Sequence, residues 1–302
     1  MKAAAPKPYT AGLNPRARIF ALLSTGLFPV ISFSAAPPVR IVSTTPSITE
    51  ILYRLGAGDR VAGVTNYCRY PDEARRKPKI GTFLQPNLET IVSLRPDLVV
   101  IQQNPVNLAE KMKRLGLPVL ELEMWDTAGI LKAMETLGRA IGEPQAGTEA
   151  AAAIRAELGE VRARTAGLAA RKMMFVVGRS PGTLEGLIVV GKASYLSELI
   201  GVAGGINVFA GAAAAYPKVT LEEIIARDPD VIIDMGEMGE SETLTPPLRE
   251  ATLRAWAKMP VLRAVREKRV YPVASDIFVV PGPRMVEAAR QFARMLHPEA
   301  PW

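Results

Sequence analysis

The sequence predicts an α/β protein with largely parallel sheets, built from two related halves. Three observations lead there. Short apolar, β-branched runs alternate with helical patterns along most of the 302 residues. A unit of capped helix, Pro-Asp turn and strand occurs twice, 133 residues apart. Between the two copies lies a stretch rich in Ala, Glu and Arg, Pro144 to Ala169, that reads as one long helix.

The strand-like runs are Arg40–Thr44, Val61–Thr65, Leu98–Gln102, Val119–Glu123, Met173–Val177, Leu187–Val190, Val231–Met235 and Val270–Val273. The helical patterns are Ile48–Leu55, Leu88–Leu94, Leu108–Leu115, Ile130–Ile141, Tyr195–Val202, Leu221–Ala226, Leu253–Met259 and Met285–Leu296. In the long central stretch, Ile154, Leu158 and Val161 form the apolar stripe. Gly159 and Gly167 each weaken a helix by about 1 kcal/mol against Ala. Pattern alone leaves two roles open for this helix, a connector between lobes or an ordinary packed helix of one domain.

The repeat is explicit. Asn87-Leu88-Glu89-Thr90-Ile91-Val92 leads through Pro96-Asp97 into Leu98–Ile101. Thr220-Leu221-Glu222-Glu223-Ile224-Ile225 leads through Pro229-Asp230 into Val231–Asp234. Asn87 and Thr220 are good helix caps, and Pro-Asp ends each helix and turns the chain. An aromatic, Phe83 or Tyr216, stands six residues before Glu89 or Glu222. An acid in a first turn is also explained by the helix dipole, worth ~0.3–1 kcal/mol. The paired placement points to a shared role.

The N-terminus reads as an export signal. Lys2, Lys7, Arg16 and Arg18 precede an apolar run from Ile19 to Phe33, followed by small residues Ser34, Ala35 and Ala36. A retained anchor is the other reading, but a comfortable span needs ~20 apolar residues. Cleavage after Ser34 leaves 33 bases against 30 acids, a net charge of +3 instead of +7. With no basic stripe and interleaved aromatics, nucleic acid is not an expected partner. A single cysteine, Cys68, excludes a disulfide framework and reads as a small buried residue. One His and one Cys exclude an ordinary zinc site, so no metal ligands are assigned.

Two motifs mimic catalytic ones. Gly178-Arg179-Ser180-Pro181-Gly182 matches G-x-S-x-G after a strand. The residue after the serine is Pro181, which has no N–H for an oxyanion, and the one available base is His297. Gly186 to Lys192 begins like a phosphate loop, but Ala193 stands where Ser or Thr must hold Mg²⁺. The acid pairs Asp72/Glu73 and Glu237/Glu240 read as solvated turns. Tyr67, Phe83, Tyr216 and Phe278 lie in loop-like stretches after strands or before helices, where an open α/β sheet binds ligands. Core or rim packing is the competing reading for each.

These pieces together resemble the class III periplasmic substrate-binding proteins of ABC importers, which take up cobalamin, ferric siderophores and haem. The resemblance runs from Arg40 to Leu296. It is carried by RIVSTTPSITEILYRLGAGDRVAGVTNYCRYP (40–71), GTFLQPNLETIVSLRPDLVVI (81–101), GKASYLSELIGVAGGINVF (191–209), YPKVTLEEIIARDPDVIID (216–234), SDIF (275–278) and PRMVEAARQFARML (283–296). It implies an exported, periplasmic, non-enzymatic monomer without a resident cofactor. It implies a signal peptide over 1–34 and α/β lobes over 35–143 and 170–302, joined by the helix of 144–169. Each lobe would hold a mostly parallel sheet flanked by helices.

The cobalamin branch is the nearest pattern, and it implies a metal chelate between the lobes. The implied cleft residues are Tyr67, Phe83 and Tyr216, with Asp276 hydrogen-bonding the ligand; Ser47, the loop aromatic Phe278 and Arg179 join them as candidate ligand-binding residues. Glu89 and Glu222 would dock into arginine pockets of a membrane permease. Two cleft positions that are commonly Trp in that branch are Phe83 and Tyr216 here. The segment Gly178–Val190 is long for the family, and Arg179 within it would suit an anionic siderophore or a haem propionate.

Overall fold

Why the chain folds into two sheets is visible in strand burial. The computed structural model describes residues 36–103, 107–236 and 243–301. The expected signal peptide lies outside these residues, as do Glu237 and Glu240.

In the first lobe, β1 (Ile41–Ser43), β2 (Val61–Gly63), β3 (Leu98–Gln102) and β4 (Val119–Leu122) are all parallel, in the order β2-β1-β3-β4. The helices are α1 (Pro46–Arg54), α2 (Asp72–Arg75), α3 (Leu88–Ser93), α4 (Leu108–Arg114) and α5 (Thr127–Ala140). Side chains alternate between two cores, as the period of a strand requires. Val100 of β3 faces the central core, while Val99 and Ile101 face an outer one with Ile91 and Met112.

The long helix α6 (Pro144–Thr165) follows. Gly147, Ala151, Ile154, Leu158, Val161 and Thr165 are buried, a stripe at alternating four- and three-residue steps. The helix stops at Thr165 instead of Ala169. Ala166 leaves the helical region, and Gly167 takes φ of 83°, a conformation that suits glycine. At the other end α5 and α6 come very close. A Cβ on Gly138 would stand 2.9 Å from the Cα of Gly147.

The second lobe contains β5 (Arg171–Gly178), β6 (Ile188–Val189), β7 (Gly205–Asn207), β8 (Val231–Asp234) and β9 (Val270–Pro272). Its order is β6-β5-β8-β9, with β7 also paired to β5. Only β6 is antiparallel. The helices are α7 (Tyr195–Val202), α8 (Leu221–Arg227), α9 (Pro246–Ala257), α10 (Arg263–Arg266) and α11 (Met285–Leu296). Three-residue β7 is too short to show an alternation in sequence. Helix α9 begins at Pro246 rather than Leu253, because Thr245 caps it and proline suits a first helical position.

One continuous core crosses both lobes. It includes Ile51 of α1, Leu137 of α5, Ile154 of α6, Phe175 of β5, Leu196 of α7 and Phe292 of α11. Helix α6 is therefore a connector packed against both lobes. Away from it, Tyr195 N–H donates to the Trp125 carbonyl at 3.1 Å, and Thr127 N–H donates to Glu198 Oε2 at 2.9 Å.

Candidate functional site

The carboxyl ends of β1, β2, β3 and β9 open on one crevice, the position expected for a ligand in an open α/β sheet. The crevice is a cavity of about 620 Å³, within the ~300–1,000 Å³ range of small-molecule sites. The first lobe contributes Thr45, Pro46, Ser47, Tyr67, Arg69, Phe83 and Gln102. The second contributes Asp276, Val279, Val280 and Pro281.

Local structure explains the first wall. Thr45 caps α1 by accepting the Ile48 N–H, and Pro46 takes the first helical position. This brings Ser47 to the end of β1, where its hydroxyl donates to Gln102 Oε1 at 3.0 Å. Tyr67 follows β2 in a loop, with the Arg69 guanidinium 5.8 Å from its ring centre. The Tyr67 ring is half exposed and faces the space above the strand ends. Beneath it, Cys68 is buried and bonded to Thr49 and Thr65. Burial pushes its thiol pKa up.

Asp276 on the opposite wall is tied to Arg284 Nη1 at 2.9 Å. Arg284 also donates through Nε to Glu50 Oε2 at 3.1 Å and through Nη2 to Glu50 Oε1. Glu50 belongs to α1, so this ion pair crosses between the lobes. Burial pushes the Glu50 carboxyl up to about 7, against the pull of Arg284.

The structure thus brings together Ser47, Tyr67, Phe83 and Asp276. Three expected residues are not among those that line this cavity. Tyr216 is absent from the cavity lining. Its ring is 46 % exposed, and its hydroxyl accepts from Ser194 at 3.3 Å. Phe278 is a correction. It is 3 % exposed and packs against Phe292 at 5.5 Å and Phe175 at 5.9 Å between ring centres. The helical turn at Asp276–Phe278 points the two side chains to opposite sides, the acid to the cavity and the ring to the core.

Arg179 is a second correction. It donates to Asp234 Oδ2 at 2.9 Å, to the Thr183 carbonyl at 3.0 Å and to Thr252 at 3.2 Å. The buried Asp234 carboxylate also accepts from Trp256 at 2.6 Å. Arg179 is thus the counter-ion of a buried acid and lies outside the lining of this cavity.

Sequence reasoning missed Gln102, Arg69 and the segment Val279–Pro281. Gln102 is the last residue of β3, so its position after a strand was the available signal. It also missed Trp125, which is 51 % exposed where the lobes meet and donates to Gln103 at 3.0 Å. A tryptophan in a loop after a strand satisfies the criterion that selected the other aromatics.

Ser180 and His297 do not form a catalytic pair. Ser180 lies beyond Gly178, at the carboxyl end of β5. His297 is buried near Arg171, at the amino end of the same strand. Eight residues of strand put roughly 25 Å between the two ends. The phosphate-loop mimic contains strand β6, whose backbone pairs with β5. Among the described residues, no group of three or more His, Cys, Asp or Glu is placed to hold a metal ion.

Two α/β lobes on a connecting helix, with a cavity between them at the strand ends, define a binding protein of the periplasmic type. The periplasmic binding protein family matches residues 41–276, and the chain belongs to that family. The vitamin B12-binding protein of Vibrio parahaemolyticus is 29 % identical over 264 residues, covering 86 % of this chain and 90 % of that one. That of Salmonella paratyphi A is 30 % identical, covering 87 % and 91 %. Among solved structures, the periplasmic vitamin B12 binding protein BtuF of Vibrio cholerae superposes with a TM-score of 0.73 at 26 % identity, covering 87 % and 98 %. The periplasmic heme-binding protein RhuT from Roseiflexus sp. RS-1 superposes with a TM-score of 0.72, also at 26 % identity, covering 87 % and 99 %.

Proposed function

We propose that this protein captures cobalamin in the cleft between its lobes and delivers it to an ABC-type importer. The observation that carries the reading is the inter-lobe cavity, with Tyr67 and Phe83 on one wall and the Asp276 carboxylate on the other. Flat rings suit the apolar face of a corrin, and a carboxylate accepts from its amide side chains. The vitamin B12-binding relatives, aligned over most of the chain, support the choice of ligand. The chelate is cargo, and the protein works as an exported monomer without a resident cofactor or catalytic step.

Docking would use Glu89 and Glu222. Both are exposed in the first turns of equivalent helices, α3 and α8. Hydrogen bonds from its own backbone amide and from Thr220 lower the Glu222 pKa, so it stays charged. An exposed aliphatic, Val92 or Ile225, follows each acid by three residues. Two such points on a rigid body fit a two-fold partner that offers arginines.

The test is a titration of residues 35–302 with cyanocobalamin, read by tryptophan quenching and calorimetry. Saturable one-to-one binding at micromolar Kd or tighter supports the reading, and no heat or quenching overturns it. Haem is the second reading, favoured by the phenol of Tyr67 at the cavity, a known type of haem-iron ligand. Haemin in the same titration separates the two.

A further inference from the structure

Arg284 lies outside the lining of the ligand cavity, yet it holds the one acid on the second lobe's wall. Its planar fork has two partners. The Nε and Nη2 edge is clamped on Glu50 of the first lobe, and Nη1 reaches Asp276 Oδ1 at 2.9 Å. The Tyr70 ring of the first lobe covers the guanidinium, 4.3 Å from its centre. Gly282 closes the arrangement. A Cβ there would stand 3.3 Å from Glu50 Oε2, so the segment leading to Arg284 lies tightly against α1.

A guanidinium held on three sides has little rotamer freedom left, and a bidentate contact fixes its plane. Arg284 engages one Asp276 oxygen, Oδ1, and Asp276 itself lines the cavity. We infer that Arg284, locked by Glu50 across the lobe boundary, is a positioning residue that aims the Asp276 carboxylate at the ligand. Recognition on the second lobe is then set by an ion pair anchored in the first. This inference rests on the reading that the cavity takes the ligand.

The experiment is a double-mutant cycle on affinity for cyanocobalamin, and for haemin in parallel, using the mature chain. At pH 8, where Glu50 carries its charge, Glu50→Gln keeps the shape and removes that charge, while Asp276→Asn removes the positioned group. Each single substitution is expected to weaken binding about tenfold, the scale of one charge-assisted hydrogen bond. In the Asp276→Asn background, Glu50→Gln is expected to change nothing further. A purely structural Glu50 would weaken binding in that background as well, and additivity overturns the inference.

Arg284→Lys, which keeps the charge without the fork, is expected to reproduce the Glu50→Gln loss and guards against one variant failing to fold. Wild-type binding with unchanged affinity in both Glu50→Gln and Arg284→Lys overturns this inference alone. A wild type that binds neither probe overturns the ligand reading and the inference with it.

Discussion

Asp97 and Asp230 perform the same task in the two lobes. Asp97 accepts the Val39 and Arg40 amides at 2.9 Å, where the chain enters β1. Asp230 accepts the Lys172 amide at 2.8 Å, where it enters β5. The neighbouring side chains repeat too. Arg40 donates to the Leu94 carbonyl at the end of α3, and Lys172 donates to the Arg227 carbonyl at the end of α8. Arg95 and Asp228, both 133 residues apart like the acids, share a left-handed backbone with φ of 47° and 43°. The duplication seen in sequence is thus a duplication of hydrogen bonds.

Removing either latch should destabilise its lobe. Asp230→Ala loses the Lys172 amide and an ion pair to Arg263 at 2.8 Å. Asp97→Ala loses two amide contacts at a more exposed site. Urea unfolding should show losses of about 1–3 kcal/mol, with Asp230→Ala the larger because its carboxylate is better buried. Equal stability in wild type and both variants would contradict the latch.

The two corrected residues should act on stability rather than on binding. Phe278→Ala empties a three-ring aromatic cluster and should cost about 3–5 kcal/mol. Arg179→Met leaves Asp234 buried without its counter-ion, also a loss of about 3–5 kcal/mol. Ligand affinity of the folded fraction should stay within twofold of wild type. A large affinity loss in Arg179→Met would return that residue to the site.

Phe83→Ala and Tyr67→Ala should do the reverse. Both side chains are incompletely buried, so unfolding free energy should shift by under about 1 kcal/mol. Affinity for cyanocobalamin should fall roughly five- to tenfold for each, as expected for a lost aromatic contact of ~1 kcal/mol or more. Calorimetric titration alongside thermal unfolding separates the two effects.

Glu89→Ala with Glu222→Ala should leave affinity intact and abolish transport with the cognate permease. Neither side chain touches the cavity, and each is exposed. The measurement is uptake into proteoliposomes, with ligand titration as the control. Normal uptake by the double variant would refute the docking role.

Glu50 makes stability depend on pH. Its folded pKa, raised by burial to about 7, exceeds the unfolded value of 4.5. The native state therefore holds the extra proton between these values. The Glu50 contribution to stability is present below about 4.5 and is lost as pH rises towards 7. The full difference is on the order of 3 kcal/mol. Urea unfolding of wild type and Glu50→Gln at pH 5 and pH 8 should show the wild type losing more stability over that range. An identical difference at both values would exclude the shift.

The sequence by itself determined what depends on local spacing. Alternating apolar runs specified the sheets, and caps such as Asn87 and Thr220 placed the helix starts. The repeated Pro-Asp turn revealed the duplication, and the apolar stripe of 144–165 marked the long helix. Loop aromatics after strands found Tyr67 and Phe83, because strand ends are where a crevice forms in such sheets.

Tertiary structure alone decided which polar groups meet. Glu50 and Arg284 are 234 residues apart, and no periodicity links them. Arg179 read as a free cation until the fold placed Asp234 beside it. Phe278 read as a loop aromatic until the turn beginning at Asp276 directed its ring inward. Local patterning records which face of an element is buried. It does not record which charge from a distant element is buried with it, and that pairing selects the residues that line the cavity.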